Sequence, residues 1–119
     1  NGAIQALKQR GLDGKVVMTG LDGETGAYQR IAEGTQSMTL QIDDETVAKR
    51  ILDVIVADQT GGDVDQFLTG TINNGYGEIP AAIIPYIQVN SDNILEMIDR
   101  GFADYETTYE NVPADKRPR

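Results

Sequence analysis

Lys15-Val16-Val17-Met18-Thr19-Gly20-Leu21-Asp22-Gly23-Glu24 opens on an apolar run without alternation and closes on an acidic loop. A strand buried on both faces needs apolar side chains at successive positions, so the run through Gly20 reads as a strand of a parallel sheet. Past Glu24-Thr25 the period lengthens. Ala27, Ile31 and Ala32 fall on one helical face, which ends at Gly34. Strand, acidic loop, helix is the order on which the fold reading rests.

Working outward, residues 3 to 10 place Ile4 and Leu7 on one helical face, and Gly11 supplies a left-handed stop. Ser37-Met38-Thr39-Leu40-Gln41 reads as a second short strand. Asp43-Asp44-Glu45 then brings negative charge to a helix N-terminus, and Val47, Ile51, Val54 and Ile55 form that helix's expected buried stripe. Residues 59 to 66 are polar and glycine-rich, a loop ahead of an expected strand from Phe67 to Ile72, with a turn at Asn73-Asn74-Gly75. Ile79 to Val89 is β-prone but interrupted by Pro80 and Pro85, which suits an edge, kinked or crossing segment. A last helix, capped by Asn90 or Ser91, carries Ile94, Leu95 and Ile98 and stops at Gly101. The alternation predicts an α/β fold of three layers, helix–sheet–helix, around a mainly parallel sheet.

The 119 residues suffice for one modest core. A formal charge of −9 repels phosphate backbones and anionic lipid, so nucleic acid is not an expected partner. Lys116-Arg117-Pro118-Arg119 reads as a frayed basic tail. With neither Cys nor His, the chain cannot assemble thiol catalysis, a Ser-His-Asp relay or an imidazole or thiolate zinc site. No cofactor is expected. Asn1-Gly2-Ala3-Ile4 reads as the first turn of a helix already under way, so an upstream segment is expected.

At this point the order of residues resembles one family. Val17-Met18-Thr19-Gly20-Leu21-Asp22-Gly23-Glu24 is similar to the strand and Gly-x-Asp-Ala-Asp/Glu segment of xylose-type periplasmic sugar-binding proteins. Gln29-Arg30-Ile31-Ala32-Glu33-Gly34-Thr35-Gln36-Ser37-Met38-Thr39 resembles their K/R-I-x-A-G-x-Q-T-M-T segment, and Asn73-Asn74-Gly75 with Ile79-Pro80-Ala81 resembles their NNG-x-x-x-V-P connection. Val89-Asn90 and Arg100-Gly101-Phe102 fit the closing helix and tail. The resemblance implies a partial C-terminal lobe of a type I binding protein. Residues 1–105 would form that lobe, including a hinge-crossing segment near 70–90, and 106–119 an extended or disordered tail. It further implies a monosaccharide ligand held between this lobe and a missing N-terminal lobe, a membrane ABC permease as partner, and an extracytoplasmic location in the periplasm or as a cell-surface lipoprotein. The isolated piece is expected to form a homodimer, because a removed strand would leave a sheet edge unpaired. The alternative is the effector-sensing domain of a sugar-responsive transcription regulator, which shares the fold.

Asp22, at the end of the first strand, is the leading ligand candidate, since a carboxylate accepts two hydrogen bonds from adjacent hydroxyls. Its structural alternative is a helix cap. Where the family pattern has an aromatic residue and then a lysine reaching the sugar, this chain has Gln41 and Ile42. Ile42 supplies no hydrogen bond, which puts xylose itself in question. Gln41 substitutes only if the register slips by one, because alternation turns it to the other face. Glu24 reads as solvated charge at a helix start. Asp63 and Asp65 lack the ligand ladder of a calcium loop. Tyr28, Tyr76 and Tyr86 are of a type that stacks on sugars but more often packs. Asp22 and Glu24 sit too close in one loop to act as opposed glycosidase carboxylates, so no enzyme is expected.

Overall fold

A computed structural model describes residues 2–118. The expected helix start at Asn1 and the last residue of the basic tail, Arg119, lie outside the described residues. The helices are α1 (Gly2–Gln9), α2 (Thr25–Ala32), α3 (Asp44–Thr60), α4 (Ile94–Asp99) and α5 (Tyr105–Thr108), and the strands are β1 (Thr19–Leu21), β2 (Met38–Gln41), β3 (Gly70–Asn73), β4 (Glu78–Ala81) and β5 (Ile87–Asn90). The class is α/β, as the alternation of apolar periods predicts. The chain divides into two compact units: the residues up to Ile42 together with those from Ile87 onward, and Asp43–Tyr86. The single lobe expected over 1–105 is thus interrupted.

In the first unit the strands run in the order β1-β2-β5. β1 and β2 pair in parallel, Thr19 opposite Met38 and Leu21 opposite Leu40. β5 joins β2 antiparallel, with Thr39 opposite Val89. Alternation along β2 buries Thr39 and Gln41 on one face and leaves Met38 and Leu40 half-buried on the other. The core is the cluster of Tyr28 and Ile31 from α2, Val89 from β5, Ile94 and Met97 from α4, and Tyr109. β1 is shorter than the expected strand. It begins at Thr19, while Val16 and Val17 lie exposed ahead of it, so their apolar character is not used inside this unit.

The second unit holds α3 and a β3–β4 hairpin in register Asn73 to Glu78, with Asn74 and Gly75 at its turn. Asp43 caps α3, its Oδ1 accepting from the Thr46 N–H at 3.1 Å. The stripe expected to be buried on α3 is not: Ile51 and Ile55 are more than half exposed, Val47 and Val54 are only partly buried, and Ala57 alone of the helix is buried. Within its own unit the helix has little to pack on beyond the short 3-10 turn Asp65–Phe67, whose Phe67 carbonyl accepts from Arg50. The strand expected at 67–72 starts three residues late because that turn occupies its beginning. Pro80 falls inside β4, in a two-stranded hairpin where every strand is an edge, and Pro85 separates β4 from β5.

The expected extended or disordered tail from 106 is corrected by the structure. Tyr105, Tyr109 and Val112 recur at helical spacing, and all three pack on the core, Tyr109 being 4% exposed. The charged residues between them mask that stripe in the sequence. Asp104 caps α5, and its Oδ1 accepts from both the Thr107 N–H and hydroxyl at 2.8 Å, which holds its carboxyl below the usual range. Beyond the helix, Arg117 donates to the Val112 carbonyl and to Glu106, and Tyr105 donates its hydroxyl to the Pro118 carbonyl. Burial raises the Tyr109 pKa above the ordinary phenol value.

Replacing a buried aromatic ring by a methyl group costs about 3–5 kcal/mol through lost transfer energy and the cavity left behind. Tyr109→Ala is expected to lower the unfolding free energy by that amount in denaturant titration. A loss below about 0.5 kcal/mol is what an unpacked tail would give.

Candidate functional site

The parallel pairing of β1 and β2 brings the C-terminal ends of both strands to the same edge of the sheet, and the loops that follow carry the residues singled out in the sequence. Asp22 is the first residue beyond β1 and is exposed. Ile42, the first beyond β2, is half-buried. Such an edge is where ligands gather in open α/β sheets, because each strand end there hands the chain to a loop free to vary.

The backbone at this edge is unusual. Asp22 has φ +76° and Gly23 has φ +62°, two left-handed residues in succession. Among residues with a Cβ, Asp is one of the few that tolerate this region, since its short polar side chain makes local hydrogen bonds, yet about 1–3 kcal/mol of strain attaches to such a position. Asp22 is the non-glycine residue with positive φ among those described. The helix-cap alternative does not fit this geometry. The N-cap of α2 is Glu24, in an extended conformation, and no side chain caps that end.

Gln41 lies beneath the loop. It is 8% exposed, its Oε1 accepts from the Tyr28 hydroxyl at 3.1 Å, and its Nε2 donates to the Ile42 carbonyl at 2.7 Å. A Cβ on Gly23 would overlap that amide, and at φ +62° glycine is the residue that takes the backbone without strain. Gln41 therefore faces α2, on the face that alternation assigns to it, and both ends of its amide are engaged inside the protein. Tyr28 is fully buried, and burial raises its pKa against the opposing pull of the Arg100 guanidinium.

Gly20 shows a second close approach. A Cβ there would stand 2.5 Å from Gln36 Nε2 and 3.2 Å from Thr39 Oγ1. Gln36 is itself pinned, accepting from Arg30 Nε at 2.9 Å and donating to the Met38 carbonyl at 3.0 Å. Alongside β1 lies a cavity of about 220 Å³ lined by Ala3, Ile4, residues 18–21, Glu24, Ala27, Arg30 and Gln36. Asp22, Gln41 and Ile42 do not line it.

The remaining candidates separate. Tyr28 is a core residue, whereas Tyr76 at the hairpin turn is fully exposed and Tyr86 half-exposed. Asp63 uses its Oδ1 to accept from the Asp65 N–H at 2.9 Å, a local turn contact. Among the described residues no group of three or more acidic side chains is placed to hold a metal ion, and no helix is long and apolar enough to cross a membrane. Sequence reading missed the Tyr28–Gln41 pair and the glycines that fit over Gln36 and Gln41. The two partners of the pair are 13 residues apart on different elements, so no local spacing signals them.

No protein-family model matches the chain. It is 35% identical over 97 residues to the D-xylose-binding periplasmic protein of Escherichia coli K12, covering 82% of this chain and 29% of the relative. The protein of the same name from Haemophilus influenzae is 35% identical over 109 residues, covering 91% of this chain and 32% of the relative. Among solved structures, a carbohydrate transporter solute-binding protein from Chloroflexus aurantiacus in complex with D-glucose is 32% identical with a TM-score of 0.67, over 76% of this chain and 26% of that one. The chain thus spans under a third of the length of the curated relatives it matches.

Gly20→Ala tests the packing that positions this edge. Forcing a methyl against the pinned Gln36 amide is expected to cost about 1–3 kcal/mol in denaturant titration. Gly11→Ala, where a Cβ meets open space at φ +62°, should cost only the left-handed penalty of about 1 kcal/mol. Equal losses at the two positions would mean that the Gln36 contact is not rigid.

Proposed function

We propose that this chain, a relative of the xylose-binding periplasmic proteins, is the C-terminal, sugar-facing portion of a two-lobed binding protein that delivers a monosaccharide to an ABC permease from outside the cytoplasm. The observation that carries the proposal is the exposed Asp22 carboxylate, held at φ +76° where β1 ends beside β2. A carboxylate so placed accepts hydrogen bonds from two neighbouring hydroxyls, which is recognition without chemistry on the ligand. Further support comes from the relatives, whose names describe binding of D-xylose and a complex with D-glucose, and not catalysis. The periplasmic setting of those relatives supports an extracytoplasmic location.

A site of this kind works by closure. One lobe leaves a bound sugar wet on one side, and hydrogen bonds to water compete with those to Asp22. A second lobe removes that water, so affinity belongs to the pair of lobes and the closed shape is what a permease can distinguish from the empty one. Self-association of the isolated 119 residues follows from the same proposal. β1 is a sheet edge, and α3 exposes Ile51, Leu52, Ile55 and Val56. Sedimentation of the isolated chain should show a dimer or larger species, and a compact monomer at high concentration that binds no apolar dye would refute it.

The decisive substitution is Asp22→Asn in the complete two-lobed protein, because Asn keeps both the size and the tolerance of a left-handed backbone. Folding stability should change by less than about 0.5 kcal/mol. Affinity for whichever of D-xylose and D-glucose the unsubstituted protein binds in titration calorimetry should fall at least about tenfold, as a charge-assisted bond becomes a neutral one. Unchanged affinity would remove Asp22 from the site.

A further inference from the structure

Gln41 is a buried side chain whose amide oxygen and nitrogen are both engaged, yet it does not belong to the hydrophobic cluster around Tyr28 and Val89. Its oxygen is held by Tyr28 on α2 and its nitrogen by the carbonyl of its own neighbour, Ile42. Its amide occupies the space in which Gly23 would carry a side chain. Gly23 follows Asp22 directly, and both are left-handed. A flexible side chain would not stay beneath a loop by itself, but one whose amide oxygen and nitrogen are both tied is a fixed surface.

We propose that Gln41 is a positioning residue for the Asp22 loop: its amide, locked between Tyr28 and the Ile42 carbonyl, is the floor on which the left-handed Asp22-Gly23 turn rests and from which the Asp22 carboxylate is aimed. The part of this that concerns sugar rests on the function proposed above for Asp22, while the part that concerns the loop does not. Gln41 touches no ligand. It acts through Gly23, and Tyr28 acts through Gln41. A glutamine suits the task because it offers an acceptor to the phenol and a donor to the carbonyl in one planar group. Glutamate at 41 would set a second oxygen against the Ile42 carbonyl, and leucine would fill the volume with neither bond.

The test uses the complete two-lobed protein with two readouts: hydrogen–deuterium exchange of the peptide covering residues 20–27, and calorimetric affinity for D-xylose and D-glucose. Gln41→Leu should speed exchange of that peptide at least about tenfold while the peptide covering residues 94–108 keeps its protection, and sugar affinity should fall by a similar factor. Gly23→Ala should do the same by pushing on the floor from above. Gln41→Leu combined with Gly23→Ala should cost little more in loop protection and affinity than either change alone, because both act on the same contact, whereas two independent losses of stability would add. If Gln41→Leu fails to fold, Tyr28→Phe, which removes one of the two ties, takes its place with a smaller effect of the same pattern.

Unchanged exchange at 20–27 in Gln41→Leu overturns the proposal, and so does equal acceleration at 94–108, which would mark Gln41 as a structural residue only. Additive losses in the double variant overturn the coupling, and lost protection at 20–27 without lost affinity overturns the aiming role. If instead the loop responds as expected and Asp22→Asn leaves affinity unchanged, the floor stands and the sugar role of Asp22 falls.

Discussion

A buried phenol must find a partner for its hydroxyl or give up the free energy of its lost water, about 1–3 kcal/mol. Tyr28 meets that constraint through Gln41. Its ring belongs to the cluster with Ile31, Val89, Ile94, Met97 and Tyr109, while its oxygen points out of the cluster toward β2. The position of α2 over the sheet is set by both ends of one side chain: the ring by packing against β5, α4 and the C-terminal segment, the oxygen by a single acceptor at the end of β2. Slide α2 by one turn, and either the ring leaves the core or the hydroxyl is left unpaired.

That constraint couples the far end of the chain to the loop after β1. The C-terminal segment holds α2 from its solvent side, since Gln29 donates to the Thr107 carbonyl and to Glu110, and Asn111 donates to Glu33. These exposed bonds add little individually. They join α2 to the segment that carries Tyr109, and Tyr109 packs in the cluster that holds Tyr28. From Tyr28 the chain of contacts runs to Gln41 and from Gln41 to Gly23. Every link is a direct contact, and the last of them is the floor proposed above for the Asp22 loop.

Much of this was legible in the sequence, and what escaped did so for definite reasons. The unbroken apolar run before Asp22, the helical period of Ala27 and Ile31, and the negative charge of Asp43-Asp44-Glu45 at a helix N-terminus are local signals, and each marks an element that the fold contains. The extent of β1 was overread, because Val16 and Val17 are apolar without being covered in their own unit. For α3 the error was the same: amphipathic spacing says which face a helix would bury, not whether anything lies within reach to bury it. The tail failed in the other direction, its Tyr105, Tyr109 and Val112 stripe diluted by Glu106, Glu110 and Asn111. At the candidate site, the place of Asp22 after a strand is a local signal, whereas the bonds of Gln41 to Tyr28 and to the Ile42 carbonyl are not. Strand alternation already turned it away from the ligand edge, but nothing local could announce a partner on another helix.

The loss of a polar contact at position 42 then has a definite consequence for any sugar lying across the ends of β1 and β2. Ile42 offers a half-buried aliphatic surface where the xylose-type pattern has a lysine. A hydroxyl pressed against it would lose its water and gain nothing, at about 1–3 kcal/mol. A C–H edge or an exocyclic methylene in the same place would bury apolar surface at about 0.8 kcal/mol per CH₂. The Gln41 amide, tied to Tyr28 and to its own backbone, cannot turn over to compensate. On the proposal that a sugar lies across this edge, polar recognition falls to the acidic loop after β1, with Asp22 foremost, and the favoured orientation presents adjacent hydroxyls to Asp22 and carbon-bound hydrogens to Ile42. The same proposal implies relaxed selectivity toward sugars that differ only at the carbon facing Ile42, because an aliphatic wall discriminates by about 10–200-fold where a hydrogen-bonding one reaches about 10⁴–10⁵.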